Sequence, residues 1–368
     1  MTTPSIKSQI FSLLILTLLP LLIYFNSLNG SFQFDDRNLI DREWIADTTA
    51  FEKNVRLSEY ENRPVLLWTF ALNNTLHKNR AFGFHLFNLT LHVFVCVLIF
   101  VVITLTQNFL APPALGQKPP SLLTACLPAL LFAVHPLNTD SVSYISSRST
   151  LLATFFYLLA LFAFLKMFSP HKNSWPVRAF FGGLTVAGLY LALASKLIAV
   201  TLPLALLLWF WVFIRPHRFP ELCTRIFTRK LIPVYAGVLL AFLAAAFFLG
   251  PGVLYAPKDQ GLELFGRMPY LLVETKVIVF YYLKLFFLPV NLNVDVGFPF
   301  SAFADDPGIA LAVLVLGALL VLAWKTNNPW VKAGVLWFFI TLMPTSSIVP
   351  LSDLAVEHRM YLPMSLGL

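Results

Sequence analysis

"HLFNLTLHVFVCVLIFVVITLT", residues 85–106, runs for 22 residues without an Asp, Glu, Lys or Arg. A helix of about 20 apolar residues crosses the hydrocarbon core of a bilayer, so this stretch alone predicts a membrane span. Comparable runs recur at 9–25, 121–137, 149–168, 179–194, 197–214, 231–249, 307–323 and 331–348, and a further one starts at Leu362. These runs are too long for barrel strands, which leaves an all-α polytopic membrane protein of about nine to eleven transmembrane helices. Composition agrees: 58% of the 368 residues are hydrophobic and 12% are charged. A soluble domain carries about 25% charged residues.

Charge orients the spans. With the N-terminus inside, twelve Lys and Arg fall on the inner side, where Glu221 is the only acid, and seventeen of the eighteen acids fall outside. That is the positive-inside pattern. It accounts for the net charge of +8 without a nucleic-acid partner, and no basic arm or aromatic-basic platform points to one. Cys96, Cys126 and Cys223 show no metal or disulfide spacing. So few cysteines favour a bacterial inner membrane over an endoplasmic reticulum.

The chain reads as a single transmembrane domain over 1–368. Its first outer loop, 26–84, interleaves Trp44, Trp68, Phe70, Phe82 and Phe84 with charge, which predicts amphipathic helices along the surface. In the outer segment 250–306, residues 271–289 carry Glu274, Lys276 and Lys284 and read as an interfacial helix. The chain stops at "SLGL", inside the last apolar run.

Polar residues gather on the outer face. "FDDR" supplies Asp35 and Asp36; "HPLNTD" supplies His135 and Asp140; Arg148 heads the next span. Lys196 stands alone in a very short hairpin, Arg63 precedes Pro64, and "VEHRM" brings Glu357, His358 and Arg359. An isolated Asp pair after a span is more often a helix cap, and a lone Lys at a span end more often snorkels. Together the acids and the imidazoles of His135 and His358 could act as a base or hold a divalent metal. Arg63, Arg148, Lys196 and Arg359 could bind phosphate. Acid beside phosphate-binding cation at a membrane face suits transfer from a lipid-linked phosphate sugar, with the lipid tail in a groove between spans. A transporter needs polar residues near the midplane of several spans; here they lie mostly at one end, and His85 and His92, near the second span, are what leaves room for that reading.

Six ordered motifs carry a family resemblance: "FQFDDRNLI", "ENRPVLLWTFALN", "FGFHLFNLTLH", "LLFAVHPLNTDSVSYISSRSTLLATFFYLLAL", "LALASKLIAVTLPLALLL" and "VPLSDLAVEHRMYLP". From about residue 20 onward the chain resembles the transmembrane region of the transmembrane-and-tetratricopeptide-repeat O-mannosyltransferases and their bacterial relatives, within the glycosyltransferase C superfamily. No tetratricopeptide repeat is present. The resemblance implies a glycosyltransferase C-like helical bundle. It also implies an enzyme taking mannose or a similar sugar from a polyprenyl- or dolichyl-phosphate donor, on the periplasmic or lumenal face. The acceptor is then a protein hydroxyl or a glycolipid such as lipid A. It matches Asp35 and Asp36 to the acidic pair after the first span, where the catalytic carboxylate is expected, Asp140 to an acidic position of the second outer loop and Lys196 to the family's Lys. Arg63, Arg148 and Arg359 join Lys196 as phosphate ligands on the chemistry above. His85, His135, Glu357 and His358 are further outer-face candidates. The family's "SKE" reads "SKL" here, with Leu197 in place of the acid. A transporter, or a scaffold left inactive by the early chain end, are the alternatives from other classes.

Overall fold

The computed structural model describes residues 6–40, 63–110, 122–169, 174–214, 266–299, 306–348 and 350–367. Among them every regular element is helical. Helix α1 (Ile6–Ile23) leads through a 3-10 turn to the short α2 (Asp35–Ile40). Then come α3 (Pro64–His77), α4 (Ala81–Leu110), α5 (Leu122–Val134), α6 (Thr139–Ser143), α7 (Arg148–Met167) and α8 (Trp175–Leu193). After a 3-10 turn at Leu197–Thr201, α9 (Leu202–Trp209) follows. α10 (Arg267–Lys276) runs through a π-helical stretch, Val277–Leu283, into α11 (Lys284–Phe287). The chain closes with α12 (Pro307–Lys325), α13 (Pro329–Leu342) and α14 (Tyr361–Gly367).

Among the described residues five helices are long and apolar enough to cross a membrane: Ala81–Leu110, Ile145–Met167, Trp175–Leu193, Leu197–Ile214 and Pro307–Lys325. The pair Leu122–Val134 and Pro136–Ser143, bent by 55°, makes a sixth if taken as one span. Ser8–Ile23 and Pro329–Leu342 are apolar but shorter. The protein is therefore an all-α polytopic membrane protein. The larger number of spans expected from the sequence included 231–249, which lies outside the described residues.

Local chemistry sets the helix starts. Pro64, Pro176, Pro307 and Pro329 sit in first turns, where the missing N–H costs nothing. Asp306 accepts from the Gly308 N–H at 2.7 Å and Asn328 from the Trp330 N–H at 2.9 Å, both as N-caps. His135 caps the turn after α5: its Nδ1 accepts from the Leu137 N–H at 3.2 Å, and its Nε2 meets the Phe286 carbonyl at 3.1 Å.

Small residues let helices approach. A Cβ added at Gly188 of α8 would lie 2.8 Å from the Ala160 Cβ on α7, a backbone approach that only glycine permits. In the core Trp337 packs edge-on against Trp209 and Tyr157, with centroids 5.1 and 5.4 Å apart. Three buried rings are tied across helices by their polar atoms. Trp209 Nε1 donates to Thr106 at 3.1 Å, Trp337 Nε1 to the Leu362 carbonyl at 3.1 Å, and His92 Nδ1 pairs with the Tyr361 hydroxyl at 2.7 Å. Outward-facing positions such as Leu14, Phe180, Leu314 and Trp324 stay apolar and exposed. A lipid solvent makes that arrangement favourable. One end of this bundle gathers the turns after α1, α5, α8 and α13, and the site lies there.

Candidate functional site

The two aspartates of "FDDR" do different work. Asp36, 1% exposed, is a tie. Its Oδ2 accepts from the Gln33 N–H at 3.0 Å, while the Asp36 N–H donates to the Gln33 carbonyl at 2.9 Å. The first bond is the return half of a capping box, and the second is a main-chain turn bond. Its Oδ1 takes the Ser146 N–H at 2.8 Å and the Ser146 hydroxyl at 2.6 Å. Burial holds its carboxyl above the ordinary carboxylate range, against those hydrogen bonds. Asp35 is exposed. Its N–H donates to the Tyr144 hydroxyl at 3.3 Å, and that hydroxyl lies 3.2 Å from Asp35 Oδ2.

Asp35 lines a cavity of about 440 Å³ together with Arg63, Tyr144, Ser146, Lys196, Asp353, His358 and Arg359. Each cation arrives from a different turn. Arg63 precedes α3, whose Val65 N–H donates to the Ala194 carbonyl at the end of α8 at 3.1 Å. That bond sets Arg63 beside the hairpin carrying Lys196. Lys196 Nζ donates to Thr150 at 2.8 Å. Burial, with Arg63 and Arg359 nearby, pushes its ammonium down to about 7. Arg359 Nη1 donates to the Leu354 carbonyl at 3.0 Å, and Nη2 donates to the Asp353 carbonyl, holding the 351–354 turn against the cavity. Behind Arg359, Oε1 of the buried Glu274 lies 3.8 Å away. Burial pushes that carboxyl up to about 7, with Arg359 opposing the rise.

Asp140 reaches the site through a histidine. Its Oδ2 accepts from the His358 N–H at 2.9 Å and pairs with His358 Nδ1 at 3.0 Å. A carboxylate can only accept, so Nδ1 carries the proton and Nε2 is the nitrogen left for the cavity. Burial holds the imidazole below its ordinary value, and Lys196 adds to the effect. Glu357 turns the other way: its Oε1 accepts from Tyr281 at 2.9 Å and from the Asn293 N–H at 2.6 Å.

The structure thus brings Asp35, Arg63, Lys196, His358 and Arg359 to one cavity. It puts Asp140 one contact behind, and it places Asp36, Arg148, His135 and His85 away from the lining. Asp36 is not presented to the cavity, because its carboxylate is consumed in holding Ser146. Arg148 does not reach it either. Nε donates to Asn88 Oδ1 at 2.8 Å, Nη1 to the Thr69 carbonyl at 3.2 Å and Nη2 to the Phe84 carbonyl at 3.1 Å. Its guanidinium carbon lies 4.3 Å and 4.5 Å from the ring centroids of Phe70 and Phe87. It is a core staple joining α3, α4 and α7. His135 is the turn cap described above, and His85 is buried against Gly30. Replacing Arg148 by Met would leave the buried Asn88 Oδ1 without its donor, at about 1–3 kcal/mol, and take a second donor from two helical carbonyls. Arg148→Met is therefore expected to lower the detergent-solubilised melting temperature sharply, checked by a fluorescence melt.

Tyr144, Ser146, Asp353 and Glu274 were not singled out as site residues from sequence. Only Glu274, an acid inside "LLVETKVIV", left a readable sign. Among the described residues no group of three or more His, Cys, Asp or Glu is arranged to hold a metal ion.

No family model matches the chain, and no solved structure matches it. Curated relatives do. The Caenorhabditis elegans protein O-mannosyl-transferase F38B6.6 is 25% identical over 379 aligned positions, covering 97% of this chain and 50% of the relative. The Drosophila melanogaster protein O-mannosyl-transferase Tmtc3 is 28% identical over 198 positions, covering 47% of this chain and 21% of the relative. The Mus musculus protein O-mannosyl-transferase TMTC4 is 28% identical over 184, covering 46% and 25%. The chain spans half or less of the length of these relatives. On these matches the chain is similar to the protein O-mannosyl-transferases, in line with the resemblance that its six motifs carry.

Proposed function

We propose that the protein is a membrane glycosyltransferase that moves a mannose-like sugar from a polyprenyl- or dolichyl-phosphate donor to a protein hydroxyl. The observation that carries this reading is a single cavity in which an exposed carboxylate, Asp35, faces Arg63, Lys196 and Arg359. The names of the relatives support the sugar and the acceptor class. An apolar groove of about 400 Å³ supports a lipid-borne donor. It is lined by Leu316, Leu320, Leu342, Met343 and Ser346, while Thr341 and Thr345 of the same segment line the polar cavity. A lipid tail in the groove would leave its phosphate among the cations.

The reaction then needs only groups already in place. Asp35 takes the proton of the acceptor hydroxyl as its oxygen attacks the anomeric carbon. The bond from that carbon to the phosphate oxygen breaks, its electron pair stays with the lipid phosphate, and the anomeric configuration inverts. The phosphate gains a negative charge, which Lys196, Arg63 and Arg359 stabilise most strongly as it develops. His358 Nε2, oriented by Asp140, lies where it can contact the same phosphate or the sugar. The charge asymmetry of the loops supports a periplasmic or lumenal position for this face.

The test is incubation of membranes holding the full chain with radiolabelled polyprenyl-phosphate mannose and two acceptors, a Ser/Thr peptide and a glycolipid. Label entering the peptide with inverted configuration is the expected result. Label in the glycolipid alone would replace the acceptor, and label in neither would overturn the reading.

A further inference from the structure

A second cavity, of about 240 Å³, lies across Tyr144 from the first, and Tyr144 lines both. Its walls are Phe34, Leu292 and Val294 on one side and Asp140 and Glu357 on the other. Among the described residues no Lys, Arg or His lines it, whereas Arg63, Lys196, His358 and Arg359 line its neighbour. Two adjoining cavities of opposite charge meet at the phenol that touches Asp35.

The carboxylates of the second cavity retain accepting capacity. Among the described residues the hydrogen bonds to Asp140 end on Oδ2 and those to Glu357 end on Oε1. At the lip, Phe34 is 64% and Val294 55% exposed. Phe34 holds a backbone φ of +43°, in the left-handed region that is costly for a residue with a Cβ. Its ring meets Tyr144 edge-on at 6.3 Å. The ring thus stands at the mouth of the cavity, exposed on one face and packed on Tyr144 by the other, where a bound side chain can lie against it.

We propose that this cavity is the acceptor subsite, and that it selects a polypeptide carrying Lys or Arg within two residues of the Ser or Thr that receives the sugar. The proposal rests on the reading of the first cavity as the donor site. The aliphatic stem of such a side chain packs on Phe34, Leu292 and Val294, as long basic side chains do on apolar surface. Its cation faces Asp140 and Glu357, and the neighbouring hydroxyl passes Tyr144 to reach Asp35. Opposite charge also sorts the two substrates: an anionic donor is repelled from the acidic cavity and a basic acceptor from the cationic one.

The experiment uses two synthetic peptides, each with one Thr, differing only in Arg or Glu two residues away. It compares the full-length protein with Val294→Arg and Val294→Glu, both changes at an exposed lip. The Arg peptide is expected to show a KM about tenfold below that of the Glu peptide. Val294→Arg removes that advantage, whereas Val294→Glu, which loses apolar packing but adds a carboxylate, raises KM for both peptides and leaves the Arg peptide ahead. Equal KM values for the two peptides, or an unchanged preference in Val294→Arg, would overturn the proposal. If the wild-type protein transfers sugar to nothing, the donor-site reading has failed instead. Fluorescence anisotropy of the labelled peptides on the same protein then decides the subsite: tighter binding of the Arg peptide, lost in Val294→Arg, upholds it, and equal binding overturns it.

Discussion

Asp35→Asn is expected to reduce sugar transfer by about 10²–10⁴-fold, the range that a general base supplies, with the melting temperature unchanged. The carboxylate is exposed, borders the cavity and, among the described residues, hydrogen-bonds Tyr144, so an amide of the same shape removes the proton acceptor and little else. Asp36→Asn should behave differently. Its oxygens take three hydrogen bonds, two of them from Ser146. An amide nitrogen at either oxygen would face an N–H or O–H donor. The expected result is a lower melting temperature and a moderate loss of transfer, because Ser146 lines the cavity. Single-turnover rates and melts on the two variants separate the roles. A larger chemical-step loss in Asp36→Asn than in Asp35→Asn would reverse the assignment.

Lys196→Ala is expected to cost about 10²–10³-fold in kcat/KM for the donor, as removal of one transition-state donor does. The wild-type site should also carry a pH signature. With its ammonium pushed down to about 7 by burial, Lys196 is charged below that pH and increasingly neutral above it. Donor affinity should therefore weaken as pH rises from 6.5 to 8.5. A bound phosphate pulls the pKa back up, so the dependence belongs to the free protein. Lys196→Arg keeps its charge throughout and should flatten the profile. Donor KM values across that range check both statements, and an unchanged slope in Lys196→Arg would count against Lys196 as the titrating group.

Much of the architecture was legible because a membrane span needs only length and apolarity, both local properties of the chain. Ends were less so. The second span was expected from 85 and the helix begins at Ala81, because Phe82 and Phe84 join it and Gly83 packs against His77. Lys196 was legible for a local reason as well, being the only charge in a two-residue hairpin. The division of labour between Asp35 and Asp36 was not. Neighbours on a helix point about 100° apart, and which one faces the cavity depends on Ser146, 110 residues away. Arg148 looked like a phosphate ligand at the head of a span. Its burial is set by Thr69, Phe84 and Asn88 on two other helices, which no local pattern reveals. The Asp140–His358 contact joins residues 218 apart. Acids and cations could be collected onto one face from topology, but their pairing required the packed bundle.

The central claim is that the cavity bounded by Asp35, Arg63, Lys196 and Arg359 holds a lipid-linked sugar phosphate. Photocrosslinking tests it most directly, using a polyprenyl-phosphate mannose that carries a diazirine beside the phosphate, followed by peptide mapping of the full chain. The account predicts labelling at Leu66, Ile198, Thr345, Leu351 and Val356, which line the cavity, and competition by unlabelled donor. Competed labelling confined to the opposite end of the bundle, around Lys166, Trp175 and Lys325, would contradict it.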